Sequence, residues 1–124
     1  MRHTLLLAVA DDFSRRELFR ELEGKGLFVV EAASPSQTVE RICCFYPDII
    51  LLDLKTPKDN FDVCRKISRV CDRPIIAAVP DLDEETKAKG HEAGIQYLIV
   101  KPINMEELIA IIKRLARRNQ LCSD

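Results

Sequence analysis

The sequence has few histidines, no Cys-x-x-Cys, almost no net charge and no long apolar run. Only His3 and His91 offer an imidazole, and neither lies near a cysteine in sequence. A zinc site or a Cys-His nucleophile therefore has little support. The five cysteines fall at 43, 44, 64, 71 and 122. An odd count with two adjacent thiols is a poor disulfide framework. It reads instead as buried or half-buried free thiols in a reducing compartment. A formal net charge of −1 argues against nucleic acid as the main partner, because phosphate backbones select basic faces. No apolar stretch approaches the ~20 residues of a membrane span. Residues 4–10 after Met1-Arg2-His3 faintly imitate a secretory signal, but the apolar run is too short. They read better as a first strand.

What is present is ordinary for one soluble domain: 124 residues, 47% hydrophobic and 31% charged. The stretch from Pro47 to Asp53 organises the rest. Ile49-Ile50-Leu51-Leu52 reads as a fully buried strand, and it ends abruptly in a carboxylate. Four more strands are expected, at residues 4–10, 27–32, 74–79 and 95–100. Helices separate them. Ser14-Arg15-Arg16-Glu17 reads as a capping box, and Ser34 as a cap with Pro35 in the first turn. Val39, Ile42, Cys43 and Tyr46 share one helical stripe. Residues 54–60 read as a loop, after which Phe61, Cys64, Ile67 and Val70 form another stripe. Asp83-Glu84-Glu85 opens a fourth helix that Gly94 closes. Asn104 to Glu107 is a further capping box, before a helix burying Met105, Leu108, Ile109, Ile112, Leu115 and Ala116.

This strict β-α alternation, five times over, predicts an α/β fold: a doubly wound five-stranded parallel sheet with five helices on both faces. Strands 1, 3 and 4 are apolar on both faces, as interior strands must be, and strand 2 carries Glu31 as an edge strand can. An order of 2-1-3-4-5 satisfies this pattern, with residues 1–124 as one domain.

In such a sheet, sites form beyond the carboxyl ends of the strands. Those ends bring Asp11 and Asp12 from strand 1, Asp53 from strand 3, Val79-Pro80 from strand 4 and Lys101 from strand 5. An acid after a strand is often only a turn or a cap. Three together repel, and need protons, a cation, or both. Oxygen-only ligation suits a hard divalent ion such as magnesium or manganese. Lys101 neutralises part of the charge and could grip a phosphoryl group as a point charge. The set suits phosphoryl transfer to a carboxylate, with Asp53 as nucleophile.

The residues Asp11-Asp12, Ile50-Leu51-Leu52-Asp53, Pro57, Asp59 to Cys64, Pro74-Ile75-Ile76, Gly94 and Lys101-Pro102 resemble a bacterial two-component response-regulator receiver domain (flavodoxin-like, as in CheY). The resemblance runs along nearly the whole chain. It implies that Asp53 accepts phosphate from a phosphohistidine of a sensor histidine kinase or phosphotransfer protein. It also implies that Asp11, Asp12, Asp53 and the Lys55 carbonyl hold magnesium, that Lys101 pairs with the phosphoryl group, and that the Lys101–Pro102 bond is cis. Output through protein contacts is implied too, to a downstream effector or a homodimer by way of helix 4, strand 5 and helix 5. Ile111, off the main stripe of helix 5, is a candidate for that face. Such a domain is cytoplasmic, touches neither membrane nor nucleic acid directly, and is no metabolic enzyme. At most it phosphorylates itself slowly from small donors and dephosphorylates itself.

Three positions depart from the family pattern. Val79 stands where Thr or Ser usually offers a hydroxyl, with Pro80 next. Leu98 stands at the usual aromatic switch position, with Tyr97 displaced by one and hence turned to the opposite face. The loop after Pro57 is one residue short, with Asn60 in place of a common Gly. The chemistry of acceptance is thus complete, while the common relay lacks both parts. A phosphate-independent pseudo-receiver is the alternative, and the charge of Lys55 near the acceptor also favours it. A haloacid-dehalogenase-like phosphatase would want Asp where Lys55 stands. A flavin or nucleotide module would want a Gly-, Ser- or Thr-rich loop in place of Asp11-Asp12-Phe13. With the chain ending soon after helix 5, a stand-alone receiver or a segment of a longer protein is expected.

Overall fold

The computed structural model describes residues 3–54 and 57–122, of which the side chains of 57–60 and 118–122 are left aside. Five strands alternate with five helices. They are β1 (Thr4–Ala8), α1 (Asp12–Glu23), β2 (Phe28–Ala32), α2 (Pro35–Phe45), β3 (Ile49–Asp53), α3 (Pro57–Val70), β4 (Ile75–Val79), α4 (Glu84–Glu92), β5 (Tyr97–Val100) and α5 (Met105–Cys122). The strands form one parallel sheet in the order β2-β1-β3-β4-β5. The fold is flavodoxin-like, with β3 at the centre and β2, carrying Glu31, at one edge.

Strand alternation divides the core in two. Leu6, Ile50, Leu52, Ala77 and Val79 face α2, α3 and α4, where Ile42, Phe61, Cys64 and Ile67 meet them. Leu5, Leu7, Leu51, Ala78 and Ile99 face α1 and α5, where Leu22, Leu108, Ile112 and Leu115 close the other layer. Residues 49–52 are buried throughout because β3 is covered on both faces. Burying four such side chains contributes roughly 6–12 kcal/mol before chain entropy is set against it.

Several local expectations change. Asp11, not Ser14, caps α1. Its backbone is extended and its carboxylate accepts from the Ser14 N–H at 2.9 Å. A carboxylate serves the positive helix end better than a hydroxyl one turn later. Helix α3 starts at Pro57, so residues 57–60 belong to the helix rather than to a loop. Proline suits a first turn because its missing N–H is not needed there. Val70 is exposed, since three-residue steps drift backwards and leave it about half a turn from Phe61. Cys43 and Tyr46 are also exposed, while Thr38 and Ile42 carry the buried side of α2. The thiols divide accordingly: Cys64 is buried, Cys71 half-buried, Cys43 and Cys44 exposed, and all four are free. Met105, Ile109 and Ile111 are half-buried against the α1/α5 layer, so Ile111 is not an open surface residue.

Other local expectations hold. Ser34 caps α2 by accepting from the Gln37 N–H, with Pro35 at its start. Asn104 accepts from the Glu107 N–H at 3.0 Å. Gly94 follows α4 with φ +92°, and a Cβ there would collide with Ser68, so only glycine turns the chain into β5 without strain. Among the described residues, no helix is long and apolar enough to cross a membrane.

Candidate phosphoacceptor site

The site lies at the carboxyl ends of β1, β3, β4 and β5. Asp53 ends β3 opposite Ala78 of β4, and Val79 stands opposite Val100 of β5. Lys101 therefore starts two strand spacings from Asp53, roughly 10 Å across the sheet. Asp53 and Lys101 follow Leu51 and Ile99 by two residues, so both lie on the α1/α5 face. The long lysine stem bridges the gap, and Nζ donates to Asp53 Oδ1. The Asp53 side chain is 13% exposed and that of Lys101 28%. Each charge is partly stripped of water and would be costly alone. The backbone fixes the lysine as well: its N–H donates to the Val79 carbonyl at 2.9 Å, and the Lys101–Pro102 bond is cis.

Asp11 and Asp12 stand at the start of α1, over the end of β1. Asp11 is occupied as the cap. Asp12 is 78% exposed, and its Oδ1 accepts from Arg15 Nη2 at 2.7 Å. Arg15 is only 13% exposed. Its Nε donates to Glu31 Oε1 at 3.2 Å and its Nη1 to the Val9 carbonyl at 2.9 Å. The hydrogen bond to Asp12, opposed by burial and aided by Glu31, raises the guanidinium pKa further above its ordinary value. A small cleft lined by Val9, Ala10, Ser34, Thr38 and Val63 opens beside Asp53.

Among the described residues, no three His, Cys, Asp or Glu side chains converge closely enough to hold a metal ion. Asp12 is turned to Arg15, and Asp11 to the helix it caps. The donor set is nonetheless oxygen-only at adjacent strand ends, the chemistry a hard divalent ion prefers. Lys55, whose carbonyl is the expected fourth donor, lies outside the described residues. The side chain of Asn60 lies outside them too.

Val79 is fully buried, in the layer that faces α2, α3 and α4. Leu98 packs on the same layer and Tyr97 on the opposite one, as a one-residue slip requires. Gly90 makes room for Leu98: a Cβ at residue 90 would stand 3.0 Å from Leu98 Cδ1. Neither Val79 nor Leu98 brings a polar atom to this layer. Arg15 is the site residue that sequence reasoning passed over. The signal was there in Asp12-x-x-Arg15, a pair three residues apart on a helix, but the capping-box reading of residues 14–17 absorbed it.

A family model described as the response regulator receiver domain matches residues 6–113. The chain is 34% identical over 117 residues to the transcriptional regulatory protein ResD of Bacillus subtilis, covering 93% of this chain and 49% of that protein. It is 35% identical over 118 residues to the transcriptional regulatory protein AfsQ1 of Streptomyces coelicolor, covering 94% and 52%. The DNA-binding response regulator MtrA of Mycolicibacterium smegmatis is 32% identical over 117 residues, at 93% and 51% coverage. The chain thus spans about half the length of these relatives. A two-component response regulator from Clostridium difficile superposes with a TM-score of 0.86 at 25% identity, covering 94% of this chain and 97% of that one. A CheY-like receiver from Methanospirillum hungatei superposes at 0.85, with 97% and 98% coverage; at 21% identity it speaks for the fold alone.

Proposed function

The chain belongs to the response regulator receiver domain family of two-component systems, and on that premise we propose that Asp53 is its phosphoacceptor. The observation that carries this reading is the Lys101–Asp53 hydrogen bond across β4. It puts a cation against the carboxylate at the point where strand ends converge. The donor is a phosphohistidine on a sensor histidine kinase or phosphotransfer protein. An Asp53 oxygen attacks phosphorus, the P–N bond breaks, and the imidazole leaves with a proton from solvent. Lys101 then holds a phosphoryl oxygen as a point charge. Asp11, Asp12, Asp53 and the Lys55 carbonyl are the groups that would hold magnesium or manganese. Such an ion offsets phosphoryl charge in transfer. Attack of water on phosphorus later returns the carboxylate and inorganic phosphate. The family is one of signalling domains, and turnover here is limited to slow self-phosphorylation from small phosphodonors and to self-dephosphorylation.

Residues 1–124 act as one receiver unit in the cytoplasm, where free thiols such as those at 43, 44, 64 and 71 persist. Relatives named as transcriptional and DNA-binding regulators support transcription as the output. With a net charge of −1, DNA contact falls to a protein partner or to sequence outside this domain. We assign the output surface, and self-association, to α4, β5 and α5. A second reading, a receiver whose output ignores phosphate, is favoured by the apolar packing of Val79 and Leu98.

The test is intact mass after incubation with acetyl phosphate and magnesium. One added phosphoryl group is expected, and it should be absent in Asp53→Asn and in chelator. If wild type gains nothing and beryllofluoride fails to bind, the acceptor reading is wrong and the phosphate-independent adaptor replaces it.

A further inference from the structure

Arg15 is a cation at the site to which phosphate acceptance gives no task. Its guanidinium is held by groups from three places: Asp12 of α1, Glu31 of the edge strand β2, and the Val9 carbonyl after β1. Two of these bonds do not depend on Asp12, so the guanidinium keeps its place if Asp12 turns away. Asp12, by contrast, is mostly in water on its other sides and turns at little cost. Among the described residues the acids do not converge into a metal-holding group, and Asp12 is drawn towards Arg15 instead.

We propose that Arg15 is a built-in counter-ion that competes with a divalent cation for Asp12, with Glu31 as the partner that retains the guanidinium when Asp12 is released. Arg15 is thus a positioning residue for the cation site, acting through Asp12. The proposal rests on reading Asp11, Asp12 and Asp53 as that site. At these strand ends Lys101 pairs with Asp53 and Arg15 with Asp12. Without Arg15, Asp12 loses the guanidinium it is hydrogen-bonded to, and the ion no longer has that partner to displace. Without Glu31, Arg15 holds Asp12 more firmly.

Isothermal titration of the full chain with magnesium chloride, at fixed ionic strength and without phosphodonor, tests this. Arg15→Gln should bind magnesium about 2–5-fold more tightly, the scale of one exposed ion pair. Glu31→Gln should bind it ~2-fold more weakly on the same scale. In an Asp12→Asn background the gain from Arg15→Gln should disappear. A gain that persists there means that the guanidinium acts only through its field, and overturns the proposal. So does a folded Arg15→Gln protein with unchanged or weaker affinity. Should Arg15→Gln fail to fold, Glu31→Gln decides: an unchanged or tighter affinity overturns the proposal. All three of these outcomes leave the acceptor reading standing as long as wild type binds magnesium. If neither wild type nor any variant binds, the cation-site reading fails and this proposal with it.

Discussion

Val79→Thr is the substitution that most directly probes how this domain departs from its family. The side chain is fully buried, in a layer built from Leu6, Ile50, Leu52, Phe61 and Ala77 among others. Threonine matches valine in shape but adds a hydroxyl, so nothing is overpacked and the cost is one of polarity. A hydroxyl without a partner in such surroundings costs ~1–3 kcal/mol by protein mutational measures. Taking about 2 kcal/mol, the melting temperature of a domain of this size should fall by roughly 6–10 °C. Urea unfolding followed by circular dichroism gives the free energy, with an unchanged slope showing that both end states keep their exposed area. The same variant, repeated with beryllofluoride and magnesium, asks whether the hydroxyl reaches the acceptor. If it does, the complex should regain much of the lost stability, and phosphate retention and oligomeric state should change. A loss below ~0.5 kcal/mol without beryllofluoride is within the range of an ordinary surface substitution. It would refute the placement of residue 79 in a closed apolar layer. Unchanged phosphate retention and oligomeric state in a phosphorylatable protein would refute the claim that Val79 limits the switch.

Two further outcomes follow from protonation. Burial raises the Cys64 thiol to about 12, so at pH 8 only about one molecule in ten thousand carries the reactive thiolate there. Alkylation mapped by peptide mass should therefore mark Cys43 and Cys44 first and Cys71 more slowly, with Cys64 modified only after denaturation; early labelling of Cys64 would contradict the α3 packing. Hydrogen bonding to Thr86, side chain and N–H, holds the Asp83 carboxyl below its ordinary value. Its stabilising effect is thus complete above the ordinary aspartate pKa of ~3.9 and is lost as pH falls through the lowered folded value. Asp83→Asn keeps a capping oxygen but no titration. Its urea midpoint should fall less than that of wild type between neutral and acid pH, and equal slopes would remove the Asp83 contribution.

The order of elements was legible in the residues themselves. The apolar run from Ile49 to Leu52 forms a strand buried on both faces because no polar side chain asks for water on either side. Gly94, Ser34 and Asn104 mark ends because their backbone freedom or side-chain oxygens meet needs local to the chain. The opposite facing of Tyr97 and Leu98 follows from the two-residue period of a strand. Asp53 and Lys101 could be expected to meet because strand ends in this topology converge, and the lysine does reach the carboxylate. What the residues could not decide were contests between equally good local partners. Both Asp11 and Ser14 can cap a helix, and the end of β1 sets where the helix begins. The stripe from Phe61 to Val70 cannot show which of its members meets the sheet, because that depends on how α3 lies across it. Asp12 could face a cation, water or Arg15; only the packing of α1 beside β2 brings Glu31 and the Val9 carbonyl to the guanidinium and so fixes where Asp12 points. Local sequence acts over a few residues. The reach of Lys101 to Asp53 and the hold of Arg15 on Asp12 depend on strands and helices distant in the chain, which only the folded sheet brings into register.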